Sequence, residues 1–277
     1  TYASIFSLLG MITGFLIPDL LKPENQGFGV FYVGIIGIGI VGAVCIITTA
    51  STIKERPEFT ELDAPLPLWK SLKLTFTHKS FIILAIANFM TILMQSLILG
   101  SIFYMATYVL KVAGIIVLLF VILGLIIGVL TVNHFAKRFG VVQTHQVLLI
   151  IAGIFLSLIV IVPTPLIYVC LFVGGIGLSG PLVLTNVLFS QVADEDEVRS
   201  GVRREASFFG VNALITKPAQ SLAAVIVVWI LKWTDFVPRK WGEPQPQPDS
   251  AIFGIKLFIG LIPGIALIIG SLILILF

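Results

Sequence analysis

The 277-residue chain is poor in charge: its 17 basic and 14 acidic side chains make up only 11% of the residues. A water-soluble domain of this length needs a far larger share of charged side chains on its surface. The chain also has only two cysteines and three histidines. These shortages exclude a soluble globular protein and leave few groups for disulfides or metal binding.

The cysteines and histidines form no recognisable site. Cys45 and Cys170 lie inside apolar stretches, where a lone thiol behaves as a small hydrophobic group. His78, His134 and His145 have no serine, cysteine or carboxylate neighbour at a spacing typical of catalysis. We therefore expect no metal, no cofactor and no enzymatic activity.

Long apolar runs dominate the chain, which is 58% hydrophobic and has a mean hydropathy of +1.10. A helix needs about 20 apolar residues to cross the hydrocarbon layer. We therefore predict an all-α, polytopic membrane bundle with eight transmembrane helices. The predicted spans are 2–21, 28–50, 81–109, 112–135, 146–162, 166–190, 207–231 and 252–277.

Basic residues are unevenly shared between the two sets of loops. Loops 51–80, 136–145 and 191–206 hold ten lysines and arginines, whereas the alternate loops hold five. The positive-inside rule makes the three basic loops cytoplasmic, in a multi-pass protein of the plasma membrane. Because the net charge is only +3 and is dispersed, we expect no nucleic-acid partner. The expected partners are the bilayer and a small polar solute, with the protein a monomer.

Segment 51–80 is the longest predicted cytoplasmic connection. Its three prolines argue against one continuous helix. Leu68, Trp69, Leu72 and Phe76 recur at helical spacing and predict a short amphipathic helix on the membrane surface. The predicted domains are 1–50 as the last helices of an N-terminal bundle, 51–80 as the linker and 81–277 as a six-helix C-terminal bundle.

Lys217 stands inside the predicted span 207–231, beside Pro218. A charge at bilayer depth costs roughly 2.5 to 3.5 kcal/mol on insertion scales, so such residues usually face a polar cavity or a partner. Pro218 cannot donate a hydrogen bond to the carbonyl of Leu214, which leaves an oxygen near the ammonium group. This combination indicates a permeation path. The alternative is that Lys217 snorkels or pairs with an acidic residue on another helix.

Other polar side chains recur along three predicted spans. They could line a solute path, or they could only join helices by hydrogen bonds, just as the glycines at 174–180 could serve packing alone. The candidate solute path comprises Asn88, Gln95, Tyr104, Tyr108, Thr185, Asn186, Asn212, Thr216, Lys217 and Gln220.

Charges of both signs crowd the predicted cytoplasmic loop at 192–207, VADEDEVRSGVRREAS. Ion pairs there could form in one conformation and break in another, although most such runs are solvated loops. The candidate cytoplasmic gate comprises Asp194, Arg203 and Glu205, with Arg138 from the turn FAKRFG.

Residues 193–223, ADEDEVRSGVRREASFFGVNALITKPAQSLA, resemble the region of the tenth and eleventh helices in the glycoside-pentoside-hexuronide:cation symporters, a family of the major facilitator superfamily. Weaker similarity extends to KER with PLPLWKSLKLTF, to SIFYMATYVLK at 101–111 and to the RFG turn. The residues that match the family pattern are Asp194, Val202, Arg203, Glu205 and Lys217.

The resemblance implies a twelve-helix transporter, of which this chain is helices five to twelve of an N-terminally truncated protein. It places Lys217 in a central cavity, with Asp194, Arg203 and Glu205 in the cytoplasmic gate. It also implies that Na⁺ or H⁺ binds on earlier helices. The expected function is secondary transport of a sugar, glycoside or other polar organic solute by alternating access; related members carry lipids.

Two other functions are weighed against transport. An intramembrane prenyltransferase would use Mg²⁺ on Asp194 and Asp196, but it normally needs a second facing acidic cluster, and Glu55 to Asp63 is scattered in a proline-rich segment. A purely structural protein would not explain why a lysine is tolerated at position 217.

Overall fold

The computed structural model describes residues 23–52, 68–201, 205–238 and 245–277, and these ranges contain helices and no strand. The chain divides into two compact units, Tyr2–Leu66 and Pro67–Phe277. Seven helices in the described ranges are long and apolar enough to cross a membrane. The all-α membrane bundle is thus confirmed, while the predicted span 2–21 lies outside the described residues.

The helices are numbered in chain order. The first unit contributes α1 (Pro23–Thr52). The second contributes α2 (Leu68–Thr77), α3 (Lys79–Tyr104), α4 (Gly114–Phe139), α5 (Val141–Leu158), α6 (Thr164–Ser200), α7 (Glu205–Trp233), α8 (Asp249–Lys256) and α9 (Ile262–Ile273). A π-helical segment, Met105–Leu110, prolongs α3, and a second, Leu257–Leu261, joins α8 to α9 into one membrane-length helix.

The predicted loop 136–145 is wrong, because only Gly140 separates α4 from α5. Its φ of 91° lies in a region that side-chain-bearing residues rarely adopt, so glycine lets the chain reverse within one residue. Phe139 and Val141, on either side of this glycine, already belong to α4 and α5. The ends of the two helices therefore lie next to one another.

The predicted loop 191–206 is also wrong over its first half. Helix α6 continues to Ser200 and stops at Gly201, whose φ of 71° is typical of a left-handed C-terminal cap. Glu195 pairs with Arg199 one turn later at 2.7 Å, an arrangement that supports a helix. The acidic run at 194–197 is therefore helical.

The predicted amphipathic helix of segment 51–80 is present as α2, and residues 53–67 lie outside the described part. Only His78 separates α2 from α3. The backbone N–H of Phe81 donates to Nδ1 of His78 at 3.4 Å, so the imidazole caps the first turn of α3.

Helix α6 occupies a central position in the second unit, because α4 and α5 both pack along it. A Cβ at Gly128 of α4 would lie 2.6 Å from the carbonyl oxygen of Ile176, and a Cβ at Gly177 of α6 would lie 2.6 Å from the backbone N of Ala152. Such approaches bring helix backbones into direct contact, as small residues do in membranes. Packing therefore accounts for the glycines of α6, which continues unbroken through Pro181.

In the connection between α7 and α8, residues 239–244 lie outside the description. Its two described ends are joined by the side-chain amide of Gln247. Oε1 of this amide accepts a hydrogen bond from the N–H of Val237 at 2.9 Å, and Nε2 donates one to the carbonyl of Val237 at 2.8 Å. The hydroxyl of Ser250 also donates to the carbonyl of Thr234 at 3.0 Å. The connection is thus anchored at both ends.

Replacing Gly128 by alanine should lower stability, although alanine favours a helix by about 1 kcal/mol over glycine. The added methyl group would collide with Ile176 and Ser179, and such overpacking typically costs about 1 to 3 kcal/mol. The measurement is the thermal unfolding midpoint of the purified protein in detergent. Gly100→Ala is the matched control, since a Cβ at Gly100 meets nothing within 4 Å. Equal midpoints for the two variants would contradict the close packing of α4 on α6.

Candidate functional site

Two predicted site residues meet across the interface between α3 and α7. The side-chain amide of Asn88 donates to Oδ1 of Asn212 at 2.9 Å. Asn88 is buried and Asn212 is half-buried, so this bond lies on the inner side of the bundle. On the same interface, an apolar cluster that includes Leu93, Leu97 and Ala219 packs farther along both helices. The asparagine pair is therefore a polar contact within a mainly apolar interface between α3 and α7.

The remaining polar residues of α7 turn progressively away from this seam. Thr216 is buried, and its hydroxyl donates to the carbonyl of Asn212 at 2.9 Å. Lys217 lies five residues after Asn212, about 140° around the helix. Its side chain is exposed on the second unit, as is that of Gln220. Hence Lys217 and Asn212 lie on different faces of α7, although the sequence places them close together.

Lys217 lies well inside a membrane-length segment, Ser207–Trp233. At about 1.5 Å per residue, it is about 15 Å from Ser207 and about 24 Å from Trp233. The exposed residues around it on α7 include Ala213, Leu214 and Ser221, which are small or apolar. Among the described residues of α7, its ammonium group is therefore a single charge surrounded mainly by small or apolar exposed side chains.

The other predicted path residues do not join the asparagine pair. Gln95 and Thr185 are half-buried, Asn186 is exposed, and none of these three forms a hydrogen bond with Asn88 or Asn212 in the described part of the chain. The backbone carbonyl of Asn186 accepts a hydrogen bond from Ser190 on its own helix. The role of these side chains in a solute path stays a prediction.

Tyr104 and Tyr108 line a separate pocket of about 300 Å³ at the far end of α3. Phe236 completes it: its ring centroid lies 5.5 Å from that of Tyr104 and 5.2 Å from that of Tyr108, both edge-to-face. Tyr104 is 16 residues, or about 24 Å of helix, beyond Asn88. The aromatic pocket and the asparagine pair are consequently at different depths, and Phe236 is a pocket residue that sequence reasoning missed.

The predicted gate residues are only partly described. Asp194 is exposed on α6, Glu205 begins α7, and Arg203 lies outside the described residues. Arg138 is exposed at the end of α4, with its guanidinium 5.3 Å from the ring centroid of Phe139. The proposed ion-pair gate therefore stays a prediction.

Buried aromatic rings connect the helix ends at the predicted cytoplasmic side. The ring centroid of Phe81 in α3 lies 6.1 Å from that of Phe189 in α6 and 5.1 Å from that of Phe208 in α7. His78 contacts Phe208 edge-on at 5.8 Å, and its buried Nε2 has no hydrogen-bond partner among the residues that the structure describes. Sequence reasoning missed this cluster. The available signal was that each phenylalanine stands near the predicted cytoplasmic end of a span.

The geometry of α6 gives the magnesium alternative no support. Asp194 and Asp196 are two residues apart on α6, about 200° around the helix, so they point to opposite sides. Asp194 is exposed whereas Asp196 is buried. Within the four described ranges, no group of three His, Cys, Asp or Glu side chains could hold a metal ion.

A family model described as MFS/sugar transport protein matches residues 1–277. The chain belongs to this family. The membrane-length helices of the described residues agree with this family, whose description names transport.

Two curated relatives of this family member are symporters by name. An uncharacterized symporter of Synechocystis sp. is 34% identical over 113 residues, which cover 40% of this chain and 21% of the relative. The sodium-dependent lysophosphatidylcholine symporter 1 of Gallus gallus is 23% identical over 248 residues, which cover 86% of this chain and 46% of the relative. The chain thus spans less than half the length of either relative.

A double-mutant cycle can measure what the asparagine pair contributes to this MFS chain. Interhelical hydrogen bonds in membranes contribute about 0.6 kcal/mol on average, so we expect Asn88→Ala and Asn212→Ala to couple by roughly this amount in the free energy of unfolding. A parallel cycle between Asn88→Ala and Asn186→Ala should show no coupling, because these two residues share no hydrogen bond. Additive effects of the first pair would mean that the bond contributes nothing.

Proposed function

We propose that the chain forms part of a secondary active transporter that moves a polar organic solute by alternating access, with Lys217 facing the solute path. The family match supports transport as the activity, and both curated relatives carry the word symporter in their names. The observation that carries the role of Lys217 is its exposed position deep within a membrane-length helix.

The energetic argument starts from the location of the ammonium group. Segment Ser207–Trp233 is about 40 Å long, and the hydrocarbon core is about 30 Å thick. If the segment is centred and runs along the membrane normal, Lys217 lies roughly 10 Å inside this core. Contact with lipid chains at that depth is unfavourable, so the side chain requires a polar environment. A hydrated solute path provides that environment.

A charged side chain at this position also gives the solute an electrostatic partner. The described part of α7 places Gln220 on the exposed side with Lys217, so an amide and an ammonium group are presented within one turn. These groups suit hydroxyl- or carboxyl-bearing solutes such as sugars and glycosides. The driving ion would be Na⁺ or H⁺, and by the resemblance noted above the chain would correspond to helices five to twelve of a twelve-helix protein.

A lysolipid is the second candidate solute. The relative that covers 86% of this chain is named for sodium-dependent transport of lysophosphatidylcholine. The pocket formed by Tyr104, Tyr108 and Phe236 presents aromatic rings, which attract quaternary ammonium groups such as choline. The aromatic pocket is the specific observation that favours this candidate over a purely polar solute.

Replacing Lys217 by alanine tests the central role of this residue. A charged hydrogen bond is worth about 1.5 to 3 kcal/mol, so gradient-driven uptake into proteoliposomes should fall roughly ten- to hundredfold. The experiment uses the full-length protein. Lys232→Ala is the matched control, because Lys232 is an exposed lysine in the last turn of the same helix. Uptake that survives in Lys217→Ala, with both variants equally expressed, would remove Lys217 from the mechanism.

A solute screen with imposed gradients decides between the two candidates. Proteoliposomes with the full-length protein should accumulate a labelled sugar or glycoside only when a Na⁺ or H⁺ gradient is present. Accumulation of lysophosphatidylcholine instead would select the second candidate, and Tyr108→Ala should then weaken it more than Tyr108→Phe, since phenylalanine keeps the ring. If neither gradient drives accumulation of either solute class, the proposal that the protein is a symporter of these solutes is wrong.

A further inference from the structure

A groove of about 520 Å³ opens between α4 and α5, away from the asparagine pair and the aromatic pocket. It exists because α4 and α5 each pack closely on α6 but touch one another only sparsely. Phe135 and Phe139 of α4 form one wall, Val147 and Ile151 of α5 form the other, and Ile176 of α6 lies at the bottom. Its volume lies within the range of small-molecule pockets, roughly 300 to 1,000 Å³.

The walls of the groove are mainly apolar and open to the surface of the bundle. Phe135, Phe139 and Val147 are 47%, 52% and 55% exposed. Both flanking helices belong to membrane-length segments, so an apolar surface on them suits the hydrocarbon layer better than water. A groove of this chemistry suits a hydrocarbon chain and does not suit a sugar.

Cationic side chains lie at the end of the groove where α4 stops. Lys137 and Arg138 are exposed in the last turn of α4. The guanidinium of Arg138 stacks over Phe139, 5.3 Å from its ring centroid, and this ring is itself part of the groove wall. The positive charge is thus positioned directly beside the apolar walls. Compensation of the helix dipole would account for basic residues in a last turn, but not for this stacking.

One polar group inside the groove lacks a partner. Thr144 lines the groove near the turn at Gly140 and is only 7% exposed. Its Oγ1 has no hydrogen-bond partner among the described residues. A buried hydroxyl normally has a partner.

We propose that this groove binds an anionic phospholipid, with one acyl chain between α4 and α5 and the phosphate at Arg138 and Lys137. The turn between these helices is predicted to be cytoplasmic, where anionic lipids attract basic residues beside membrane helices. The site is independent of the solute path and does not rest on the proposed function.

Photo-crosslinking tests where the acyl chain lies. The full-length protein is reconstituted in nanodiscs of phosphatidylcholine and phosphatidylglycerol that include phosphatidylglycerol with a diazirine on its acyl chain, and labelled peptides are mapped by mass spectrometry. We expect labelling on the groove faces of α4 and α5. Val147→Trp should fill the groove and reduce this labelling several-fold. Ile150→Trp should not, because Ile150 is exposed on the same helix but does not line the groove.

The preference for an anionic lipid headgroup tests the role of Lys137 and Arg138. Each basic side chain near an anionic surface should favour retention of phosphatidylglycerol over phosphatidylcholine by roughly fivefold, as measured by native mass spectrometry. The double variant Lys137→Gln with Arg138→Gln should lose this preference. Both residues are exposed, so this variant keeps the test valid even if Val147→Trp does not fold.

Several results would overturn the proposal. Labelling spread equally over all lipid-facing helices would show only bulk lipid, and equal retention of both lipids by the native protein would exclude anionic recognition. Unchanged groove labelling in a folded Val147→Trp variant would place the chain elsewhere. Crosslinks from this groove to a second copy of the chain would assign it to a protein interface.

Discussion

Close contact between helix backbones is the constraint on which the described bundle depends. Lipid chains are as apolar as leucine, so helices in a membrane gain little from burying apolar side chains and must instead fit closely together. Gly128 and Gly177 permit that fit, because each lies where a Cβ would collide with a neighbouring backbone. The arrangement of α4 and α5 on α6 follows from these contacts, and so does the groove left between α4 and α5.

The polar residues of the membrane segments divide into two kinds. Asn88 and Asn212 share a hydrogen bond within the bundle, and Thr216 bonds to its own helix, so each of these groups has a structural contact. Lys217 has no such contact in the described part of the chain: it is exposed on the second unit and lies within a membrane-length helix. Lys217 is therefore the side chain on which the proposed function depends, and the asparagine pair is a contact between α3 and α7.

Sequence reasoning succeeded where one dominant pattern decided the outcome. Long apolar runs predicted every membrane-length helix that the described residues contain, and spaced apolar side chains predicted α2. It failed at helix ends. The charged residues after the apolar part of α6 were predicted to form a loop, although Glu195 and Arg199 stabilise the helix to which they belong. It also grouped Asn212 with Lys217 because they are close in the chain, whereas about 140° of helix rotation separates them.

The amino-acid sequence by itself determined that the chain is helical and crosses a membrane, because each segment in lipid must satisfy its own backbone hydrogen bonds. It also determined family membership, through residues spread over the whole length. Only the tertiary structure decided which polar groups meet. Asn88 and Asn212 are 124 residues apart in the chain. The ring of Tyr104 in α3 contacts that of Phe236 in the connection between α7 and α8. Such contacts depend on how helices rotate and pack against one another, which local periodicity does not specify.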